Sequence, residues 1–520
     1  MITVTSKSMK KIEDSSGISV ERLIMNVAEA GSNWILNNIY KIKSKKVLII
    51  IGKGNNGSDG LALAQKLLTK VNKIHVFAPM GRDKDKLLTK FCMSGGKVWG
   101  ISNKISVKEF TNLLKDSDLI IDAIFGTGIN KTISYPLDIY ISKINESKKP
   151  IISIDIPSGM NPDNGNWDKN SVKAHSTLML GYPKIGCVLY KNPEILGNLS
   201  LLDIGIKNTK KIKSNEFWIT KKSIKKILPK RNPIGYKSIF GNVGIIAGSK
   251  KYPGAGILST LASLHSGVGI STLISTRYVI DKCLYKIPEA IYINLPEIDN
   301  KLDINFSLNK LIPLINKNYF SSVLIGPGLS VTKESESLLK NLLPEIPRNL
   351  PLILDADALN IISNIGMDFK HNENIVVTPH IGELEKLTGI KKDYIIENRL
   401  SVAKDLAIKE KINVVAKGAP TIIVSPSGET FISPWINSGL SKAGSGDILS
   451  GLIAGLSAQK EISILNASII GVFVHGLAGK YTKKRFGERS MRIIDIVKEI
   501  PKSFIDVENY KDGEILVKEL

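Results

Sequence analysis

The sequence predicts two α/β domains in series, each built on a mainly parallel sheet. Short aliphatic runs alternate with helical patterns along nearly the whole chain, as βαβ units require. Clusters of glycine and carboxylate residues directly follow several of those runs, where open parallel sheets hold ligands. Between about Gly205 and Lys237 lysines gather, strand signals fade, and Pro229 and Pro233 punctuate the chain. That change of texture places the domains at 1–215 and 216–520.

In the first domain Val47–Ile51, Lys73–Ala78, Leu119–Phe125, Ile151–Ile156 and Thr177–Leu180 read as buried strands. Leu61–Leu68 and Val107–Leu114 fit connecting helices. The second series comprises Val243–Ala247, Ile270–Ile274, Val323–Ile325, Leu352–Leu354, Ile375–Val377, Val414–Ala416 and Thr421–Val424. The last pairs with Thr430–Ile432 across the turn Ser425-Pro426-Ser427-Gly428. No internal repeat links the halves, which read as different folds fused together.

At 520 residues, each half is long enough for its own core. Cys92, Cys187 and Cys283 lack metal-like or disulfide-framework spacing, and a reduced, cytoplasmic setting follows. The N-terminus lacks a signal-peptide layout, and Ile469–Ala478, the most apolar late stretch, contains His475 and fits a buried helix. The formal charge of +23 comes from lysines spread along the whole chain, with no aromatic-interleaved basic patch. We therefore expect no specific nucleic-acid partner and no membrane partner, but electrostatic steering of anionic ligands. A homo-oligomeric assembly is also expected.

Three clusters mark the first domain: Gly52-Lys53-Gly54-Asn55-Asn56-Gly57-Ser58-Asp59-Gly60, Asp122 to Lys131 with Gly126-Thr127-Gly128, and Asp155-Ile156-Pro157-Ser158-Gly159. Each alone reads first as a helix-capped loop; three on one sheet edge favour instead a site for a phosphate-bearing ligand or a cation. Together they resemble the NAD(P)H-hydrate epimerase family, over roughly residues 1–210. The resemblance implies a Rossmann-like domain in which Asn55, Asn56, Gly57, Ser58 and Asp59, with Gly126, Thr127, Gly128, Ile129, Asn130, Lys131 and Thr132, line the hydrated nucleotide. It implies a potassium ion on Asn56, Asp122 and Ser158, and Asp155 as the catalytic carboxylate in the proton transfers that interconvert the R and S hydrates. Ser58 stands where that family commonly has glycine; positive φ there would strain the loop.

In the second domain, Lys442-Ala443-Gly444-Ser445-Gly446-Asp447 precedes the apolar run Ile448–Leu456. Glycines at a helix N-terminus leave amides open to a phosphate, and a carboxylate beside them suits a base acting on a hydroxyl. Its neighbours are Gly248 to Ile257, Gly326-Pro327-Gly328-Leu329, Asp355 to Asn360, Thr378-Pro379-His380-Ile381-Gly382-Glu383 and Lys417 to Thr421. This ordered set resembles the ribokinase-like ADP-dependent NAD(P)H-hydrate dehydratases over about 220–510. The resemblance implies that Ala255, Gly328, His380 and Asp447 contact the hydrated dinucleotide, with Asp447 catalytic. Lys417, Gly418, Ala419, Pro420, Thr421 and Gly446 would hold ADP, the co-substrate, and the amides of Gly444, Ser445 and Gly446 would form the anion hole. Ser445 stands where that family usually has threonine, and the hydroxyl is kept.

Asp355 and Asp357 remain open between helix caps and water-mediated holders of magnesium, and Lys417 between a solvated strand end and a phosphate contact. His265 and His475 read as core or surface residues. The ligands expected are the NADH and NADPH hydrates with ADP. Two rivals stand beside this reading: a small-molecule kinase with the same glycine–aspartate anion hole, and a non-catalytic binding or scaffold protein.

Overall fold

The computed structural model describes residues 1–82, 85–100, 106–128, 132–206, 214–299, 301–369, 372–511 and 517–518. The chain divides into two compact units. The N-terminal unit is Ile2–Glu216 with Gly513–Leu520, and the C-terminal unit is Met1 with Phe217–Asp512.

The N-terminal unit holds β1 (Lys46–Ile51), β2 (Lys73–Phe77), β3 (Lys97–Trp99), β4 (Leu119–Ala123), β5 (Ile151–Ile154), β6 (Ser176–Leu180) and β7 (Asn198–Leu202). The C-terminal unit holds β8 (Glu216–Trp218), β9 (Asn242–Ile246), β10 (Ile270–Thr276), β11 (Ile291–Leu295), β12 (Glu297–Ile298), β13 (Lys301–Leu302), β14 (Ser322–Ile325), β15 (Leu352–Leu354), β16 (Ile375–Val377), β17 (Asn413–Ala416), β18 (Ile422–Val424) and β19 (Thr430–Ile432). β20 (Val517–Lys518) closes the series.

The first sheet runs β20-β7-β6-β5-β4-β1-β2-β3 and is parallel except for β20, which lies antiparallel to β7. The tail strand therefore belongs to the first sheet, whereas the sequence reading assigned everything from 216 to 520 to the second domain. β1 shows why aliphatic runs mark the strands: Val47, Ile49 and Ile51 enter one core cluster, while Leu48 and Ile50 enter the cluster on the opposite face. The order reverses direction between β1 and β4, so the loops after these strands flank a switch point where ligands bind.

The second sheet runs β11-β10-β9-β14-β15-β16-β17-β18-β19-β8. It is parallel from β11 to β17, and the antiparallel hairpin β18–β19 follows. Its switch point lies between β9 and β14. The helix Ser445–Ser457 packs on Pro253–Leu264 and contributes Ile448, Leu449, Leu452 and Ile453 to the core. The helix Ile464–Ser490 is long and apolar enough to cross a membrane by length and composition, yet 78% of its most apolar window is buried within the fold.

Candidate functional site

In the N-terminal unit the chain turns from β1 through Gly52–Gly54 into the helix Asn55–Leu67. A Cβ on Gly57 would stand 2.0 Å from the carbonyl oxygen of Gly52, so only glycine lets the helix close onto the strand end. Ser58 is helical and has no positive φ, which removes the strain considered from the sequence. Its Oγ accepts from Arg82 Nη2 at 2.7 Å, while Arg82 Nη1 donates to Gly52 O at 2.9 Å.

Asp122, at the end of β4, is wholly buried. Its Oδ1 accepts from Ser158 Oγ at 2.6 Å and Ile124 N at 3.2 Å, and its Oδ2 from Ser153 Oγ at 2.8 Å and Ser158 N at 2.9 Å. Burial pushes its carboxyl upward while these hydrogen bonds pull it down; the net direction is up. Ser158 Oγ also accepts from Phe125 N at 2.9 Å. Asn56 is buried with neither carboxamide atom hydrogen-bonded, a costly arrangement unless a ligand satisfies it. Of the three expected potassium ligands, Asn56 fits a hard cation, and Ser158 has one lone pair left for it. Asp122 accepts four hydrogen bonds within the protein and serves to orient Ser158.

The loop after β4 passes close to this carboxamide: a Cβ on Gly126 would lie 3.3 Å from Asn56 Cβ and 3.4 Å from Asp155 Oδ2. Asp155 follows β5 with φ +68°, a sharp turn that projects its carboxylate from the strand end. Oδ1 of Asp155 is paired with Nζ of Lys184, which is 1% exposed. Asp59 is buried nearby; burial first, then the charge of Asp155, hold its carboxyl well above the usual range. Glu13, on the helix Ser6–Ser15, is likewise raised by burial, against the pull of Lys184. The structure thus brings together Asn56, Asp59, Gly126 and Asp155. Asn55, Gly57 and Ser58 lie on the same helix turn, and Thr127 and Gly128 continue the Gly126 loop. Thr132 is exposed farther along, and Ile129, Asn130 and Lys131 lie outside the described residues. Sequence reasoning missed Lys184 and Glu13.

In the C-terminal unit, Gly444 takes φ +94° as the N-cap of the helix Ser445–Ser457, a conformation that favours glycine. The first helical bond is Ile448 N to Gly444 O at 3.2 Å, so the amides of Gly446 and Asp447 lie in the open first turn. The amide of Ser445 is engaged by Lys442 O at 3.2 Å, so this member of the expected anion hole is already bonded within the turn. Ser445 Oγ meets Nε2 of buried His475 at 3.2 Å, and burial lowers that imidazole to about 4.

Lys417 and Asp355 flank this helix end: a Cβ on Gly446 would lie 3.3 Å from Lys417 Nζ and 3.8 Å from Asp355 Oδ2. Lys417 Nζ holds Asp355 Oδ1 at 2.8 Å and lies 3.6 Å from Glu383 Oε2. Burial works to lower the lysine, but the charges of Asp355 and Glu383 outweigh it. Lys417 is thus an ion-paired residue beside the helix end, not a solvated strand end. Asp355 Oδ2 is buried without a partner, whereas Asp357 Oδ2 accepts from Ser330 N at 2.8 Å.

Burial, then the charge of Asp355, pushes Asp447 up to about 7. Glu383, 4% exposed, is also raised to about 7, chiefly by burial. It forms a capping box with His380: His380 N donates to Glu383 Oε2 at 2.7 Å, and Glu383 N donates to His380 Nδ1 at 3.1 Å. Gly328, at φ +60°, meets Ala255 so closely that a Cβ would stand 2.6 Å from Ala255 Cβ. Gly418 and Ala419 are exposed above Arg399, which donates to Pro420 O; Thr421 Oγ1 donates to Gly418 O at 3.2 Å. Sequence reasoning gave no role to Glu383 or Arg399. Among the described residues no group of three or more His, Cys, Asp and Glu side chains is arranged to hold a metal; Asp355 Oδ2 is a buried carboxylate oxygen here without a partner.

Residues 243–502 match the family described as NAD(P)H-hydrate dehydratase, and residues 20–186 match the YjeF-related protein N-terminus. A bifunctional NAD(P)H-hydrate repair enzyme from Dictyoglomus turgidum is 31% identical, covering 98% of this chain and 99% of its own. Its counterpart from Moorella thermoacetica is 32% identical over 89% of this chain and 88% of its own. Among solved structures, a ribokinase-like superfamily protein from Enterococcus faecalis superposes with a TM-score of 0.51 at 25% identity, covering 58% of this chain and 100% of that one. With both units matched and a relative aligned almost end to end, the chain belongs to the family of bifunctional NAD(P)H-hydrate repair enzymes.

Proposed function

We propose that the chain repairs hydrated NADH and NADPH, the N-terminal unit interconverting the R and S hydrates and the C-terminal unit dehydrating the S hydrate at the expense of ADP. The observation that carries this reading is the convergence of Asp447, Lys417 and Asp355 on the open turn of the helix Ser445–Ser457. An acid raised to about 7 beside such a turn suits a general base near neutrality.

Asp447 would take the proton of the hydroxyl on the hydrated ring as its oxygen joins the β-phosphorus of ADP. The first-turn amides of Gly446 and Asp447, with Gly444 beside them, would stabilise the developing charge. The ring nitrogen's electrons then expel phosphate to give an iminium ion, and loss of a proton from the adjacent ring carbon restores the ring double bond, leaving the reduced nicotinamide, AMP and inorganic phosphate. Lys417 to Thr421 would hold the nucleotide, and Ala255, Gly328 and His380 the hydrate. Magnesium would arrive with the nucleotide's phosphates, with Asp355 Oδ2 the oxygen open to it.

In the N-terminal unit Asp155 would give a proton to the hydroxyl as its C–O bond breaks with the ring nitrogen's electrons, and take one back from the water that adds to the opposite face, while Asn55 to Asp59 and the Gly126–Thr132 loop bind the nucleotide. A potassium ion on Asn56 and Ser158, backed by Asp122, would supply positive charge beside the nucleotide. Incubating mixed hydrates with ADP or ATP tests both activities: full recovery of reduced nicotinamide with release of inorganic phosphate is expected. Recovery of the S portion alone would remove the epimerase reading, and a stable phosphorylated product would mark a kinase instead.

A further inference from the structure

The two oxygens of Asp155 have different surroundings. Oδ1 is paired with Lys184 Nζ and receives a long bond from Leu180 N at 3.4 Å. Oδ2 has neither bond and faces Gly126, 3.4 Å from where a Cβ would stand, beside Asn56. Lys184 is 1% exposed, and its Nζ also donates to Leu180 O at 2.7 Å. Its backbone is clamped by the N-terminal segment: Val4 N donates to Pro183 O at 2.9 Å, and Ile185 N to Val4 O at 3.1 Å. A lysine is almost never buried this deeply unless its charge is used. Three carboxylates share its field, Glu13, Asp59 and Asp155, yet it pairs only with Asp155. Burial raises both Glu13 and Asp59, which favours their holding protons while the ion pair carries the charge.

We propose that Lys184 is a positioning residue of the N-terminal unit's reaction: it grips Oδ1 of Asp155 so that Oδ2 alone faces the hydrated ring and exchanges its proton. Charge and aim are both set by this one contact. Without the ammonium, the carboxylate is free to turn about its terminal bond or to share a proton with Asp59 and Glu13. The inference rests on the reading of Asp155 given above.

The test is steady-state R-to-S conversion by the full chain carrying K184M, K184R, D155N or both K184M and D155N. K184M is expected to lower kcat at least about tenfold with little change in KM, the mark of an interaction made in the reaction step. K184R, which keeps the cation, should recover part of that loss. K184M strands a buried carboxylate, so the double variant decides the matter where the single one fails to fold. Because Lys184 acts through Asp155, K184M should add nothing to the loss caused by D155N. Wild-type kcat in K184M, a change confined to KM, or losses that multiply in the double variant would overturn the proposal. An active D155N variant would instead overturn the role of Asp155 itself.

Discussion

Dehydration should follow the ionisation of Asp447 and therefore rise with pH. The base must be ionised to accept a proton, and burial together with Asp355 pushes this carboxyl up to about 7, against the pull of Lys417. An aspartate with its ordinary value would be almost fully ionised at about pH 6, whereas one at about 7 is roughly one-tenth ionised there and nine-tenths ionised at about pH 8. The value of kcat/KM for the S hydrate should thus climb roughly tenfold over that interval.

Glu383 is also raised to about 7, and the assignment needs a second variant. E383Q removes that titration and should leave the midpoint in place, because Glu383 is not among the groups that shift Asp447. D355N removes the largest charge effect raising Asp447, and its midpoint should fall. The assay follows recovery of reduced-nicotinamide absorbance from purified S hydrate, with D447N as the inactive control. A flat profile between about pH 6 and 8, or a midpoint that vanishes in E383Q, would refute the assignment.

Asp155→Asn should cut R-to-S conversion at least about a hundredfold, leaving a residual rate that K184M does not lower further, while dehydration of the S hydrate continues; the two-stage recovery of reduced nicotinamide will measure both. Gly328→Val places a side chain on a φ of +60° where its Cβ would stand 2.6 Å from Ala255 Cβ; KM for the hydrate should rise and the C-terminal unit should lose about 1–3 kcal/mol in urea unfolding. His475 has a folded value lowered to about 4 by burial. The unfolded chain therefore binds the extra proton between about 4 and 6.5, and stability should rise with pH across that window, by up to about 3 kcal/mol. Glu383 and Asp447, being raised, slope the opposite way, so the measurement is the difference between wild type and His475→Gln. An identical pH dependence in the two proteins would contradict the buried, neutral imidazole.

The central strands were legible because a strand buried on both faces must be aliphatic throughout, as Val47–Ile51 is. The edge strands Lys97–Trp99 and Ile291–Leu295 carry exposed or polar residues and leave no such run. Asn56, Asp122, Asp155, Lys417 and Asp447 were legible because each sits just at or beyond a strand end or at a helix start, among glycines. Lys184 lies between Gly181 and Gly186 after β6, but no carboxylate or carboxamide stands beside it in the sequence, and its meaning lies in a partner that follows another strand. Ser58 shows the reverse: the sequence raised a question of backbone strain, and a helical φ answers it. The tail strand Val517–Lys518 was beyond reach, since a two-residue edge strand has no period to read.

The same local device occurs at both sites on different folds. In each, a carboxylate at the end of a parallel strand gives one oxygen to a lysine, fully buried in the first case and half-buried in the second: Asp155 to Lys184, and Asp355 to Lys417. In each, the other oxygen faces a glycine of the ligand loop, Gly126 in one case and Gly446 in the other. Further carboxylates crowd the same lysine and are raised by burial: Glu13 and Asp59 in the first unit, Glu383 and Asp447 in the second. A chain of formal charge +23 thus surrounds its two reaction centres with acids, each group anchored by one cation. The lysines spread over the chain can draw in anionic nucleotides, while proton transfer depends on carboxylates shielded from that field by burial. Raising ionic strength should therefore weaken KM for the hydrates and ADP while leaving kcat nearly unchanged, because exposed charges are screened and buried pairs are not. A kcat that falls in step with binding as salt is added would show that the surface charge reaches the chemistry.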